Sequence, residues 1–378
     1  MPRTMIVIGA GPIGVFAAWE ASRRGFDVAL LERETVGASM RSWGPVRLFS
    51  PLSMNVPPAL RDELGLTGDD LLTAAAMIER VLEPAARHRL LEGRVHQGAR
   101  VVSIARRGLG RLDYAGHPLR AERPFRALIE RGGSEETIEA DVVLDASGGY
   151  SIPSSIGSGG IVPGERSLGE LAIRQLGRLH DALPSLGGRP VLLVGHGHSA
   201  AHAAIWLTEG GSEVTWAVRT PNLRPCVQVA DDPLAERRRV VERANALAAA
   251  APSNLTIHRR ATVESIARDD GGFRVGLSGG RSGRFDAIAA FTGHRPDGSF
   301  HSELALETSP VTEGGSRLWI ALSRVSDCLA APRASASDLE TSEPNYFFVG
   351  SRSYGRAPTF LLKNGIEQIE AILGGLQP

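Results

Sequence analysis

The chain has 378 residues, of which 42% are apolar and 22% charged, and this composition is typical of a globular protein with a sizeable core. Lys and Arg balance Asp and Glu at 42 each, so no basic surface points to nucleic acid or to a membrane. No run of about 18 uninterrupted apolar residues predicts a membrane span. The first strand begins too early for a signal peptide. Cys226 and Cys328 form no C-x-x-C motif, which favours the reducing cytoplasm.

The N-terminal stretch predicts a strand, a glycine turn, a helix and a second strand that ends on an acid. Gly9 permits the tight turn, Gly11 lets a pyrophosphate approach the backbone, and Gly14 lets the helix pack closely on the strand. Free N–H groups at the start of the helix would hold the phosphates. Glu32 stands 18 residues after Gly14, where it can accept hydrogen bonds from the ribose hydroxyls. The residues predicted to contact this first nucleotide are Gly9, Gly11, Pro12, Ile13, Gly14, Glu32 and Arg33.

A proline-rich segment, residues 43–57, follows this unit and forms no long helix. A segment placed after the ribose-binding acid would pass the middle of a dinucleotide, where aromatic and apolar side chains could shield a ring. A loop that packs over the sheet edge is the alternative. The cofactor contacts predicted in and beside this segment are Arg41, Trp43 and Leu48.

The next elements are predicted from periodicity. Apolar residues three and four apart predict a helix over 66–92, and short alternating runs over 94–143 predict an antiparallel hairpin or meander, with Val101 as a cofactor contact. A buried strand over 140–145 then ends in Ala146, Ser147 and Gly148. Small residues are needed where the backbone passes close to a ligand, so these three are also predicted cofactor contacts.

A second fingerprint follows a Gly-, Ser- and Pro-rich connection over 151–170. An apolar strand over 189–194 leads into Gly195-x-Gly197-x-Ser199-Ala200, a helix, and a strand over 213–218. Arg219 stands where the first fingerprint has its acid. Because an arginine suits a 2′-phosphate, this site is predicted to bind NADPH, with NADH left open. The predicted contacts are Gly195, Gly197, His198, Ser199, Ala200 and Arg219.

Three histidines, His196, His198 and His202, raise the question of a metal site. A divalent cation would compete with the phosphates that the turn is built to hold, and no further ligand stands at metal spacing. We therefore expect no metal and interpret the histidines as loop residues near NADPH.

The remaining chain repeats the first pattern. A helix over 232–251 precedes four predicted strands, and the last of these, over 285–288, leads to small residues over 290–297 that parallel those after the strand at 140–145. Near the C-terminus we predict a strand over 345–350, a loop over 351–359 and a helix over 360–373, whose first N–H groups could polarise a carbonyl of a cofactor ring. The cofactor contacts predicted here are Gly293, Gly350, Phe360, Leu361 and Lys363.

Together these motifs resemble the two-dinucleotide-binding-domain flavoproteins, and most closely the class B flavin-dependent monooxygenases. In that family the first fingerprint holds FAD, and a G-x-G-x-S-A/G turn similar to the second holds NADPH. Residues 43–57 resemble the family segment W…LRLFTP…LP that runs past the flavin, and residues 146–148 and 291–297 resemble its two A-T-G hinges. Residues 157–165 depart from the family, because they stand where it carries F-x-G-x-x-x-H.

The resemblance implies an FAD-dependent NADPH oxidoreductase of the monooxygenase type. NADPH would reduce FAD, O₂ would add to the reduced flavin, and the C4a-(hydro)peroxyflavin would oxygenate a nitrogen, sulfur or carbonyl carbon of a small substrate. The residues expected to line the site are Ser50, Asn55, Tyr354, Arg356 and Lys363, and the first four are the predicted catalytic residues. Asn55 is expected to hydrogen-bond the flavin, and Arg356 to contact substrate or nicotinamide. A purely structural role is the alternative for each.

The predicted fold is α/β, with two Rossmann-like dinucleotide-binding domains of the three-layer ββα type. An NADPH domain, 156–319, is inserted into a discontinuous FAD domain, 1–155 and 320–378. The predicted partners are a small-molecule substrate and O₂, without nucleic acid or membrane, and a homodimer is left open. A thioredoxin-reductase-like flavin reductase without C-x-x-C and a non-catalytic FAD/NADPH-binding redox sensor are the alternative functions.

Overall fold

The computed structural model describes residues 2–325 and 327–378. The strands, numbered in chain order, are β1 Thr4–Ile8, β2 Asp27–Glu32, β3 Val95–Gln97, β4 Arg100–Arg106, β5 Phe125–Arg131, β6 Ser134–Ala140, β7 Val142–Asp145, β8 Ile152–Pro153, β9 Pro190–Val194, β10 Glu213–Val218, β11 Leu255–Arg259, β12 Val263–Asp269, β13 Gly272–Leu277, β14 Arg281–Phe285, β15 Ala287–Ala290, β16 His294–Arg295 and β17 Tyr346–Phe348.

The α-helices are α1 Pro12–Arg23, α2 Ala38–Arg41, α3 Leu52–Asn55, α4 Pro58–Glu63, α5 Ala74–Met77, α6 Glu83–Ala86, α7 Leu176–Leu186, α8 His198–Glu209, α9 Ala235–Ala250, α10 Ser316–Leu322, α11 Ala336–Leu339, α12 Ser351–Tyr354 and α13 Leu362–Gly375. One π-helical turn, Ile78–Leu82, joins α5 to α6. Among residues 2–325 and 327–378, none of the helices has both the length and the apolar character needed to cross a bilayer.

The chain forms two units. The first contains residues 1–40, 51–152 and 294–378, and the second contains residues 41–50 and 153–293. These boundaries differ from the predicted ones. The second unit ends at Gly293 rather than at the predicted residue 319, and it includes residues 41–50, which were predicted to belong to the first domain.

The first unit is built on a five-stranded parallel sheet in the order β17-β7-β1-β2-β3. β1 lies at its centre, and Ile6 and Val7 of that strand are fully buried because the sheet is covered on both faces. A three-stranded antiparallel sheet, β4-β5-β6, covers one face through a core that includes Ile8, Ile104 and Phe125. α1 packs on the strand β2 and on α13.

The second unit repeats this plan. Its parallel sheet has the order β11-β10-β9-β15, and its antiparallel sheet has the order β12-β13-β14. Successive side chains of β9 point to opposite faces of the parallel sheet. Leu193 packs in the core formed with α7, α8 and α9, and Leu192 packs in the core formed with the antiparallel sheet. This helix–sheet–sheet arrangement in each unit confirms the predicted three-layer ββα fold.

Three element predictions were wrong. The helix predicted over 66–92 begins only at α5, where the Thr73 hydroxyl accepts a hydrogen bond from the Ala76 N–H group at 3.1 Å and so caps it. The strand predicted over 285–288 is divided at Asp286 between β14 and β15. The predicted loop over 351–359 contains the short helix α12.

Candidate cofactor sites

The first glycine turn has the close backbone approaches that its sequence predicts. Gly9 has a φ of +95°, and a Cβ there would lie 2.7 Å from the carbonyl oxygen of Ala146. A Cβ on Gly14 would lie 1.8 Å from the Gly9 carbonyl oxygen, so only glycine fits. A Cβ on Gly11, by contrast, would meet no atom of the described residues within 4 Å. The turn therefore leaves open space at the one glycine that a pyrophosphate would approach.

The acid of the first fingerprint lies at the end of β2. Glu32 is buried, and its carboxylate accepts hydrogen bonds from the Ala10 N–H group at 2.7 Å and from the Glu34 N–H group at 2.9 Å. A carboxylate offers about four acceptor positions, so two remain for ribose hydroxyls. The exposed neighbour Arg33 lies 3.3 Å from the Glu34 carboxylate.

Two further observations fit FAD at this turn. The Ser147 hydroxyl, directly after β7, is buried and has no hydrogen-bond partner within residues 2–325 and 327–378. Four other buried hydroxyls of the described residues share this state, but Ser147 lies beside the glycine turn, where a Cβ on Gly9 would be 3.0 Å from its Cα, so a bound group could be its missing partner. Among the same residues, no side chain caps the N-terminus of α1, so its first N–H groups can bind a phosphate. The residues present therefore fit the group that the sequence predicts.

C-terminal residues also reach this turn. A Cβ on Gly350, which has a φ of +65°, would lie 3.0 Å from Cγ1 of Ile13, and one on Gly365 of α13 would lie 2.5 Å from Cδ1 of the same side chain. Phe360 and Leu361 are half-buried just before α13. The predicted contacts Ile13 and Gly350 are thus brought together within the first unit, and Phe360 lies near them, because a Cβ on Gly365 would also be 3.2 Å from its Cζ.

The predicted catalytic residues are divided between the units. Ser50 is buried in the second unit, and Asn55 is buried in α3 of the first. Tyr354 is buried, its ring packs edge-on against Phe360 at 5.3 Å, and burial raises its pKa to about 12. Such a phenol stays protonated at neutral pH and can donate a hydrogen bond.

The two predicted cationic contacts carry ion pairs. Arg356 is exposed and pairs with both carboxylate oxygens of Glu313, at 3.0 and 2.9 Å, and this pairing lowers the pKa of Glu313. Lys363 is exposed, and its ammonium lies 3.8 Å from Glu367. A substrate anion at either residue would therefore compete with an internal carboxylate.

Four further predicted flavin contacts are divided between the two units. Arg41, Trp43 and Leu48 belong to the second unit, where Trp43 packs against the helical core. Val101 is half-buried in β4 and packs against the core of the first unit. Whether these residues touch a cofactor stays a prediction.

The second glycine turn has the same geometry as the first. Gly195 has a φ of +116°, and a Cβ there would lie 2.3 Å from the Phe291 carbonyl oxygen. A Cβ on Gly197 would meet no described atom within 4 Å, and Ala200 is fully buried where helix and sheet meet. Ser199 is exposed in the first turn of α8. This turn, like the first, is open where a pyrophosphate would bind.

The arginine of the second fingerprint follows β10 directly. Arg219 is exposed, and its charge acts on the nearby His196. Burial and this positive charge both lower the pKa of His196, so the imidazole is neutral at pH 7. Gly293, the last residue of the second unit, has a φ of +91°. An exposed guanidinium at this strand end suits a 2′-phosphate.

The histidine prediction needs a correction. His198 and His202 are helical residues of α8, because the helix starts at the turn itself. The Phe49 ring packs edge-on against His198 at 5.2 Å and is stacked on His202 at 6.2 Å, and burial lowers the pKa of His202 to about 4. This packing explains why residues 41–50 belong to the second unit. Within residues 2–325 and 327–378, no group of three His, Cys, Asp or Glu residues is arranged to hold a metal.

A buried ionic cluster beside the first turn was not predicted from the sequence. Asp145 and Arg352 are fully buried, and the Arg352 Nε–H group donates to Asp145 Oδ2 at 3.1 Å. The Arg352 Nη2 group lies 3.0 Å from Nε2 of His301. One local feature of the sequence points to this cluster, because Asp145 is a charged residue at the end of an otherwise apolar strand.

Two described families match different stretches of the chain. Residues 4–83 match the family described as FAD dependent oxidoreductase, and residues 132–313 match the family described as pyridine nucleotide-disulphide oxidoreductase. A thioredoxin reductase of Yarrowia lipolytica is 33% identical over 104 residues, which are 28% of this chain and 31% of that protein. A ferredoxin–NADP reductase of Paraburkholderia xenovorans is 26% identical over 242 residues, 63% of this chain and 56% of that protein. The chain thus spans from about a third to a little over half of the length of these curated relatives.

Solved structures show the same fold over the whole chain. The bacillithiol disulfide reductase of Bacillus cereus has a TM-score of 0.70 at 20% identity and covers 99% of this chain and 98% of its own. The ornithine N-hydroxylase of Kutzneria sp. 744 has a TM-score of 0.65 at 15% identity, with the same coverage. At this coarse level the chain is similar to FAD-dependent oxidoreductases and has NADP(H)-using relatives, and the predicted cofactors are confirmed.

Proposed function

We propose that this FAD-dependent oxidoreductase is an NADPH-dependent monooxygenase that oxygenates a small organic substrate. One observation carries the proposal: the chain has two glycine turns shaped for dinucleotides but no dithiol. Its two cysteines form no disulfide, and Cys226 lies in the second unit while Cys328 lies in the first. Electrons that reach the first unit therefore have no internal disulfide to reduce, which favours O₂ as their acceptor.

FAD bound at the first turn supplies hydride acceptance from NADPH and electron transfer to O₂. The protein contributes binding and orientation. The α1 N-terminus and Gly11 would hold the pyrophosphate, Glu32 the ribose, and the Ser147 hydroxyl would donate to or accept from the cofactor. In the second unit the α8 N-terminus would hold the second pyrophosphate, and Arg219 would select the 2′-phosphate. Each of these roles is part of the proposal.

The state of the buried cysteine supports the proposal. Burial raises the pKa of Cys226 to about 12, so its thiol stays protonated at neutral pH. Because the thiolate is the nucleophile in thiol–disulfide exchange, Cys226 is expected to be inert.

The second candidate function, reduction of a small disulfide, is favoured by the place of Cys328. This half-buried cysteine lines a cavity of about 130 Å³ together with Leu361 and Lys363, two of the predicted flavin contacts. A single thiol beside a flavin could form a mixed disulfide with a small substrate. Both candidates need the same two cofactors, so the acceptor decides between them.

The deciding experiment is stopped-flow spectroscopy of the FAD-loaded chain. The protein is reduced by NADPH without oxygen and then mixed with air-saturated buffer. A transient absorbance band, distinct from those of oxidised and reduced flavin and lasting for seconds, is expected for the monooxygenase. Immediate reoxidation with release of peroxide, or no reaction with O₂, would contradict it.

The thiol route has its own matched pair of variants. Cys328→Ser should leave NADPH consumption in air unchanged if O₂ is the acceptor, and Cys226→Ser serves as the control for a cysteine outside the first unit. Loss of activity in Cys328→Ser alone, with low-molecular-weight disulfides as acceptors, would favour the disulfide reductase.

A further inference from the structure

We propose that Asp145, Arg352 and His301 form a buried positioning network that holds the two strand-end turns of the flavin site against each other. The proposal rests on FAD binding in the first unit, as the proposed function requires. It assigns to these residues an indirect role through the turns at 146–148 and 349–351.

The network lies at the edge of the sheet where ligands bind. Asp145 is the last residue of β7, and it is paired in register with Ile8 at the end of β1 and with Phe348 at the end of β17. In open α/β sheets, ligands bind outside the carboxyl ends of the parallel strands. The Asp145 carboxylate is therefore placed between the glycine turn after β1 and the Gly350 turn after β17.

The Asp145 carboxylate joins both turns. Its Oδ1 accepts a hydrogen bond from the Ser147 N–H group at 3.1 Å, in the turn after β7. Its Oδ2 accepts from Arg352 Nε–H at 3.1 Å and from the Tyr346 hydroxyl at 3.3 Å. Ser147 is the residue whose hydroxyl has no partner among the described residues. A movement of Asp145 would therefore move the backbone that presents this hydroxyl.

The Arg352 guanidinium is fixed by all of its nitrogens. Nη1 donates to the Glu313 carbonyl oxygen at 2.8 Å, Nη2 donates to His301 Nε2 at 3.0 Å, and the group lies over the Phe348 ring at 4.0 Å. His301 must accept at Nε2, so its imidazole is neutral with the proton on Nδ1. A planar group with several donors in fixed directions can do this, whereas a lysine ammonium cannot reach all three acceptors.

The two turns also contact each other directly. The Gly149 N–H group donates to the Ser351 hydroxyl at 3.2 Å, and a Cβ on Gly149 would lie 3.2 Å from the Gly355 carbonyl oxygen. Gly350, between β17 and α12, has a φ of +65° and lies against Ile13 of the first fingerprint. Arg352 thus anchors the segment that covers the start of α1.

The second unit shows that the fold does not need this network. Its third strand, β15, pairs with β9 as β7 pairs with β1, and Ala290 stands opposite Val194 where Asp145 stands opposite Ile8. The turn that follows has a glycine of positive φ at the matching position, since Gly148 and Gly293 have φ values of +84° and +91°. A comparable turn is therefore built after an apolar residue, and the buried charges serve something particular to the first unit.

The test compares FAD affinity with stability in full-length variants. FAD binding to the apoprotein is measured by fluorescence titration for Arg352→Met and Arg352→Lys. The control is Arg120→Met, which removes another fully buried arginine of the same unit, one that pairs with Glu343 at 3.0 Å. We expect Arg352→Met and the control to lower the melting temperature by similar amounts. Arg352→Met should nevertheless raise the dissociation constant for FAD at least about tenfold more than the control does. The effect of Arg352→Lys on FAD affinity should lie between those of the control and of Arg352→Met.

Flavin spectroscopy gives a second readout that a merely structural role would not change. The absorbance maxima and midpoint potential of bound FAD should shift in Arg352→Lys and stay at wild-type values in the control. FAD affinity and spectrum equal to those of the control would overturn the proposal. If Arg352→Met does not fold, Arg352→Lys decides, and wild-type affinity with a wild-type spectrum in that variant would overturn it.

The outcomes separate this proposal from the proposed function. Wild-type protein that binds FAD but shows no transient band with O₂ would refute the monooxygenase and leave the comparison of Arg352 variants valid. Wild-type protein that binds no FAD would refute both.

Discussion

Replacement of Gly11 by alanine should separate FAD binding from folding. Gly11 caps α1 with a φ of −72° and a ψ of −178°, a conformation open to any residue, and an added Cβ would meet no described protein atom within 4 Å. The methyl group would instead occupy the space that we assign to the pyrophosphate. Gly11→Ala is therefore expected to fold normally and to lose FAD.

The magnitudes follow from the local geometry. Alanine restricts the unfolded chain, which stabilises by about 0.4–1 kcal/mol, but it is a poorer N-cap than glycine by a similar amount, roughly 1 kcal/mol. The free energy of unfolding of the apoprotein should thus change by less than about 0.5 kcal/mol. Loss of one or two hydrogen bonds to a charged phosphate costs about 3 kcal/mol, which is about a hundredfold in FAD affinity.

Two further alanine variants serve as controls. Gly14→Ala would place a Cβ 1.8 Å from the Gly9 carbonyl oxygen, so it should lower the unfolding free energy by about 1–3 kcal/mol or more. Gly197→Ala, which is equally free of contacts in the second turn, should keep FAD and lose NADPH. Thermal unfolding of the apoproteins and titration with FAD are the assays. Gly11→Ala with FAD affinity within about threefold of wild type would refute the assignment of this turn.

Three other changes test separate features. Arg219→Ala should raise KM for NADPH about tenfold or more through loss of a charge-assisted hydrogen bond, and an equal rise for NADH would contradict the 2′-phosphate role. Glu343→Gln leaves the buried Arg106 and Arg120 without their shared carboxylate and should lower the urea unfolding free energy by about 3–5 kcal/mol; a loss below about 1 kcal/mol would contradict this. His202 has a pKa of about 4 against a usual 6.5, so its neutral form belongs to the native state. The contribution of His202 to the free energy of unfolding is complete above about pH 6.5, and about 3 kcal/mol of it should be lost as the pH falls through about 4. If His202→Gln loses stability at low pH as the wild type does, His202 is not the cause.

Most of the fold could be predicted because its signals are local. Each parallel sheet is predicted by short apolar runs that are followed by glycine turns. The antiparallel insertions are predicted by runs in which apolar and polar residues alternate. The helix over 66–92 was mispredicted for a physical reason. Apolar spacing continues through Leu71 and Leu72, but the Thr73 cap starts the helix only at α5, and periodicity alone does not locate such an end.

The parts of the site that could not be predicted depend on contacts between distant residues. Asp145 and Arg352 are 207 positions apart, and no local pattern relates them. Likewise, the prolines of the segment after Glu32 predicted irregular backbone, but the unit to which it belongs depends on Phe49 packing against His198 and His202. The glycine turns could be predicted because the strand, the glycines and the start of the helix that define each turn lie within a few residues of one another in the sequence.

The two glycine turns share a backbone and differ in the side chains around it. In the first unit the second strand ends on the buried Glu32, whose carboxylate is already bonded to backbone N–H groups, and the third strand ends on the buried Asp145. In the second unit the second strand ends on the buried, apolar Val218, which the exposed Arg219 follows, and the third strand ends on Ala290. Buried, hydrogen-bonded charges hold a site in one geometry, whereas an exposed arginine binds and releases an anion with little reorganisation. This difference matches the proposed function, in which FAD stays bound through turnover and NADPH exchanges in every cycle.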